Sequence, residues 1–147
     1  MKQMTVPFRK TKVRIPLVEF SCGESDNLCA IVDTGSESTI FDTKFVKENK
    51  LVTDESKTMT LVGLAGEGDE LTIYQINTFL SFTEDRKKLS VEGISADLSS
   101  INDHIQKKHK EKTVVSVILG NDFLKKYKAK INYKAKELTL FYDLPGE

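Results

Sequence analysis

A mostly β chain with two or three short helices is what the sequence predicts, and three observations carry that expectation. Two continuous apolar runs, Leu28-Cys29-Ala30-Ile31-Val32 and Val114-Val115-Ser116-Val117-Ile118-Leu119, have the length and composition of fully buried strands. Residues 58–62, 71–82, 88–94 and 130–142 are strand-like segments separated by polar or glycine-rich turn signals. Helical spacing is confined to short stretches. No internal repeat, linker or low-complexity tract interrupts the pattern, so the 147 residues suit one domain, 1–147, large enough to bury a core without disulfide or metal staples.

In chain order, residues 13–20 alternate apolar and polar side chains in part, with Pro16 implying an edge or irregular pairing. A turn over 23–27 feeds the apolar run 28–32, which delivers Asp33 to the rim of the core. Residues 41–49 predict a short helix with Asp42 near its start. Strands follow at 58–62, 71–82 and 88–94, the last two joined by the polar turn 83–87. Residues 100–112 predict a helix, with Ser100 and Asp103 as a capping box and Leu98, Ile101 and Ile105 on one face. The run 114–120 leads into a helix over 123–127 capped by Asn121 or Asp122, and 130–142 forms a last hairpin turning near 134–136.

Composition excludes several roles. The 22 basic and 22 acidic residues balance, so no overall field draws the chain to nucleic acid or anionic lipid. No stretch approaches the ~20 apolar residues of a membrane span. The start, Met1 to Lys10, has no apolar signal-peptide core, which makes a cytoplasmic location the default, a removed targeting segment aside. In that compartment Cys22 and Cys29, either side of the first turn, are expected to be reduced thiols rather than a cross-strand disulfide.

The chemistry concentrates at Asp33-Thr34-Gly35-Ser36, a tight turn directly after the apolar strand. Gly35 lets the backbone bend and another chain approach, while Thr34 and Ser36 supply hydroxyls that can hold a carboxylate. Taken alone, Asp33 is an ordinary turn residue bonded to its own backbone. Its neighbours in sequence change the reading. Downstream stand a glycine-rich hairpin candidate, Leu61-Val62-Gly63-Leu64-Ala65-Gly66-Glu67-Gly68, and the run into Gly120 continued by Asn121-Asp122-Phe123-Leu124.

In that order the three segments resemble the signatures of the retropepsin-like aspartic proteases: catalytic turn, flap, and the apolar strand ending in glycine. The resemblance spans roughly residues 12–142 and is similar to single-domain bacterial and viral members rather than to two-lobed pepsins. It implies a closed, barrel-like acid protease fold and an aspartic endopeptidase acting on peptide or protein substrates with no metal or cofactor. It also implies that Asp33 is catalytic and that Thr34 bonds across to a partner chain. Ser36 would hold the outer carboxylate oxygen, Gly120 would pack behind the turn, and Gly63, Leu64, Ala65 and Gly66 would form the flap over the substrate. Ile31, Ile40, Ile73 and Ile118 map near the family's cleft. Only one Asp-Thr-Gly turn exists here. A reaction in which two carboxylates share a proton must take the second from another copy of the chain, so a homodimer is expected, with apolar ends such as Leu138-Thr139-Leu140-Phe141 pairing with the partner's. Residues 95–112 depart from the compact viral pattern as an insertion of unassigned role.

Competing chemistries lack their residue sets. Gly63 to Gly68 is without the Gly-Lys-Ser/Thr ending and the following helix of a phosphate loop. His104 and His109, five apart on a helix, face different ways, and Lys107-Lys108-His109-Lys110 reads as a solvated face rather than a metal or nucleic-acid site. No Ser-His-Asp or Cys-His signature is present. The remaining rival is the same fold used as a catalytically silent peptide-binding or dimerisation module.

Overall fold

The computed structural model describes residues 1–11, 14–52, 58–62, 70–109, 113–144 and 146. Among the described residues, ten strands and three helices run in the order β1 (Lys2–Pro7), β2 (Leu17–Cys22), β3 (Ser25–Val32), β4 (Ile40–Asp42), α1 (Thr43–Glu48), β5 (Thr58–Val62), β6 (Glu70–Ser81), β7 (Lys88–Ala96), α2 (Ser99–His109), β8 (Val115–Leu119), α3 (Asn121–Lys126), β9 (Lys130–Asn132) and β10 (Glu137–Tyr142). Six strands in the order β2-β3-β8-β4-β7-β6 close into a barrel through the pairing of Ser21 with Ser81, and β5 extends it beyond β6. Closure pairs each of these six strands on both sides, which leaves them no free edge.

Strands β3 and β8 run parallel, as do β4 and β7, while β4 and β8 pair antiparallel. This crossing is tight. A side chain on Gly93 of β7 would collide with the Thr39 carbonyl and lie 2.8 Å from the Phe41 ring, so only glycine lets β4 pass. Every residue of β8 is buried, as its uninterrupted apolar pattern predicts.

The main core is an aromatic-rich cluster that joins barrel residues such as Val18 and Leu119 to Met4 and Val6 of β1 and Leu138 and Leu140 of β10. Phe20 meets Phe45 edge to face at 5.9 Å and Phe82 at 6.1 Å, and Phe82 continues to Phe123 at 5.7 Å. A second, smaller cluster lies on the other side of β3 and β8, where Leu98 and Ile105 pack on Leu17, Cys29, Ile31, Val115 and Ile118. The predicted face of α2 is thus the face that packs, with Ile101 partly buried beside it. Cys22 and Cys29 are buried and not joined in a disulfide, and burial pushes the Cys22 thiol above its ordinary range against a weaker opposing contact from Thr78.

Several boundaries differ from expectation. β2 begins at Leu17, after Pro16, rather than at 13. Helix α2 begins at Ser99, so Ser100 and Asp103 do not form its capping box; the Asp97 carboxylate instead accepts from the Ser99 N–H at 2.9 Å. Helix α3 begins at Asn121 with Gly120 at the N-cap, not at 123 behind a side-chain cap. Two strands had no sequence assignment, β1 and β4, each too short or too polar to announce itself. The expectation that the apolar C-terminal end is free for a partner is also corrected. β10 is the middle strand of a separate sheet, β1-β10-β9, with both edges hydrogen-bonded within the chain and Leu138 and Leu140 wholly buried.

Candidate active site

Strand β3 ends on Val32, and Asp33 follows at the rim. Its N–H donates to the Leu119 carbonyl of β8 at 3.0 Å, which fixes the start of the turn against the neighbouring strand. The turn then closes on itself. The Gly35 N–H donates to Asp33 Oδ1 at 2.8 Å, and the Ser36 N–H to the Asp33 carbonyl at 3.3 Å. A Cβ at position 35 would stand 3.2 Å from that same carboxylate oxygen, so glycine keeps the carboxylate's immediate neighbour small. The predicted turn is therefore formed, with Thr34 and Gly35 exposed and Asp33 half-buried. Ser36 differs from its expected bond: its hydroxyl donates to the Ser38 carbonyl at 2.7 Å, bracing the loop rather than the Asp33 carboxylate.

Behind the turn sits the start of α3. The Asn121 N–H donates to the Ser36 carbonyl at 2.7 Å, the Asp122 N–H to Glu37 at 3.1 Å, and the Asn121 side-chain amide to the Thr34 carbonyl at 2.8 Å. Asp122 also reaches Thr39, accepting from its N–H at 3.1 Å and its hydroxyl at 2.7 Å, while the Gly120 N–H donates to that hydroxyl oxygen at 3.1 Å. Gly120 has no room for a side chain. A Cβ there would overlap the Ser38 carbonyl and approach the Ser36 carbonyl oxygen to 2.8 Å, and these are backbone atoms that cannot swing away. Gly120 is thus brought to the turn as expected. Thr39 is a supporting residue the sequence reading missed; Asn121 and Asp122 stood there as the continuation of the Gly120 run and as candidate caps, without these bonds to the turn.

Asp33 opens onto a cavity of about 430 Å³ with an apolar floor of Ile31, Ile101, Ile105 and Ile118 and with Arg14 and His104 on its walls. The inserted helix α2 thereby becomes one wall of the candidate cleft, a role not read from the sequence. Of the four isoleucines mapped to the cleft, Ile31 and Ile118 line this cavity; Ile40 packs beside the second cluster and Ile73 is buried on β6. Strands β5 and β6 pair as far as Val62 with Glu70. The proposed flap residues Gly63, Leu64, Ala65 and Gly66 fall between them, outside the described residues. Among the described residues, no three His, Cys, Asp or Glu side chains gather in a way that could hold a metal ion, and no helix is long and apolar enough to cross a membrane.

No protein-family model matches the sequence, and no curated protein does. Solved structures do match its fold. The retroviral protease-like domain of Ddi1 from Leishmania major superposes with a TM-score of 0.57 at 17% identity, over 87% of this chain and 90% of that one. A retropepsin-like aspartic protease from Rickettsia conorii gives a TM-score of 0.57 at 12% identity, over 95% of this chain and 89% of its own. With a six-stranded closed barrel, an aspartate turn at the end of β3 and a glycine of β8–α3 packed against it, the chain has the retropepsin fold.

Proposed function

We propose that the chain is an aspartic endopeptidase whose active site is completed by a second copy. The observation that carries this reading is the braced Asp33 turn opening on an apolar cavity at the rim of a retropepsin barrel. The exposed Thr34 and Gly35 form the surface the partner's turn would cover. In the dimer, one Asp33, ionised, takes a proton from a bound water as general base; the other, protonated, hydrogen-bonds the scissile carbonyl and donates as the tetrahedral intermediate forms. Two full charges about 3 Å apart repel by about 5 kcal/mol at an effective dielectric near 20, which favours the singly protonated pair the reaction needs. The substrate is an extended peptide, held by β-type backbone pairing with an apolar side chain in the cavity beside Asp33.

Cleavage should be bell-shaped in pH with its optimum on the acid side of neutral, because both the free base and the shared proton are required. Asp33→Asn removes the acid with almost no change in volume. It should lower kcat by about 10³-fold or more while leaving the thermal unfolding midpoint nearly unchanged. The assay is cleavage of a mixed peptide library by both forms, with sedimentation measured on the same samples. A fully active monomer, or equal turnover by Asp33→Asn, would end this reading. Peptide capture without cleavage at every pH would assign the fold to binding alone.

A further inference from the structure

The cavity beside Asp33 adjoins a second one that the proposed hydrolysis does not use. The two share Arg14 and Ile15. The second, of about 390 Å³, is lined by the cationic side chains of Arg9, Lys10, Arg14 and Lys136 together with Phe8 and Tyr133, and none of the ten described residues that line it is acidic. Glu19, outside the lining, lies 3.7 Å from Arg9 and offsets one of the four charges. In a chain whose 22 basic and 22 acidic residues balance overall, this is a local concentration. The aromatic pair is in edge contact at 6.5 Å, and Tyr133 and Ile15 remain 63% and 49% exposed. The concavity therefore offers apolar surface and positive charge together.

We propose that this second cavity docks an acidic segment of the polypeptide substrate, on one flank of the bond presented to Asp33. The proposal rests on the peptidase reading for what occupies the first cavity; the charge complementarity of the second stands by itself. An extended peptide advances ~3.3 Å per residue, and because the two cavities share Arg14 and Ile15, a chain seated in the first runs directly on toward the second. Phe8, Tyr133 and Ile15 suit the apolar stems and backbone of a peptide. Exposed ion pairs are individually weak, so the site sets a graded preference.

The test uses the intact chain and three peptides with one shared apolar cleavage core, carrying three Glu, three Lys or three Gln on one flank, each flank in turn. On one flank the Glu peptide should show kcat/KM about fivefold above the Lys peptide, and the ratio should shrink toward one at high salt. Lys10→Glu with Lys136→Glu should reverse the order. Fluorescence anisotropy of the same peptides on Asp33→Asn separates docking from catalysis. If nothing is cut but the Glu peptide still binds best, the peptidase reading falls and the docking site stands. Equal cleavage and equal binding of all three peptides overturn the docking site and leave the peptidase reading intact. Tighter binding of a single-stranded oligonucleotide than of the Glu peptide also overturns it, in favour of a nucleic-acid surface.

Discussion

Strands β3 and β8 face two different interiors. Ala30, Val32, Val117 and Leu119 point into the barrel core, whereas Cys29, Ile31, Val115 and Ile118 point to the smaller cluster capped by α2. A register shift between Cys29 and Ala30, where Val115 and Val117 of β8 are consecutive partners, inserts Ser116 and keeps both strands in phase with both interiors. The barrel core is ringed by strands and filled with aromatic rings. The smaller cluster is capped by α2, and its Ile31, Ile105 and Ile118 also line the Asp33 cavity. One interior fills the barrel, the other sits beside the candidate site, and the same two strands serve both.

Leu80→Ala should have the largest effect on stability, since Leu80 is wholly buried in the barrel core and its loss leaves a cavity that surrounding strands cannot fill. A loss of about 2–5 kcal/mol is expected by urea unfolding, with cleavage per folded molecule unchanged. Gly120→Ala comes next and probes the junction between the two interiors. The added methyl meets the Ser36 and Ser38 carbonyls, so the turn must move. Misplacement on this scale costs on the order of 10²-fold in kcat, and retained kcat would show that the brace does not position Asp33.

Ile105→Ala acts on the smaller cluster. Its stability cost should be about 1–2 kcal/mol, less than for Leu80, because the site borders open volume. Its signature is a shift of substrate preference toward larger apolar side chains, read by competition among peptides. A cost equal to that of Leu80→Ala with unchanged preference would erase the distinction between the two interiors. The smallest effect belongs to Asp97, at the entry to α2. The Ser99 N–H, then the Ser99 hydroxyl, hold its carboxyl below the ordinary value of 3.8. A depressed folded-state value contributes stability above the unfolded value and loses it as pH falls through the folded one. Parent and Asp97→Asn should therefore differ slightly near neutral pH and converge in strong acid, as thermal melts from pH 2 to 7 will report.

The sequence announced what local chemistry dictates. Uniform apolar runs marked β3 and β8, the polar turn 83–87 separated β6 from β7, and the three- and four-residue spacing of Leu98, Ile101 and Ile105 marked the packed face of α2. What stayed hidden depends on partners far along the chain. β4 is three residues long and becomes a strand only because β7 and β8 pair with it. β1 alternates Met4 and Val6 inward among polar neighbours, yet its partner lies more than a hundred residues away. In the candidate site, Asp33, Gly35 and Gly120 were legible because a turn and a close approach demand those residue types. Thr39 and Asp122 were not, since their bond joins positions 83 apart. Ile101 and His104 look like any amphipathic helix until α2 is seen beside Asp33.

The β1-β10-β9 sheet also sets an order of events. Its register joins Lys2 to Tyr142, whereas β2 closes the barrel against β6 through Ser21 and Ser81. Joining such distant segments carries the larger loop-closure cost, and contacts of long sequence separation slow folding. During synthesis every barrel strand has emerged before β10 exists, and until then neither β1 nor β9 has a partner. We infer that the barrel and its aspartate turn assemble first and the outer sheet locks last, which pulse-labelled hydrogen exchange would contradict if β1 amides were protected before those of β3. For as long as the ribosome holds the C-terminal strand, Met4 and Val6 lack the β10 backbone that fixes them against the core they share with the barrel, and that interval is when the nascent chain has most need of a chaperone.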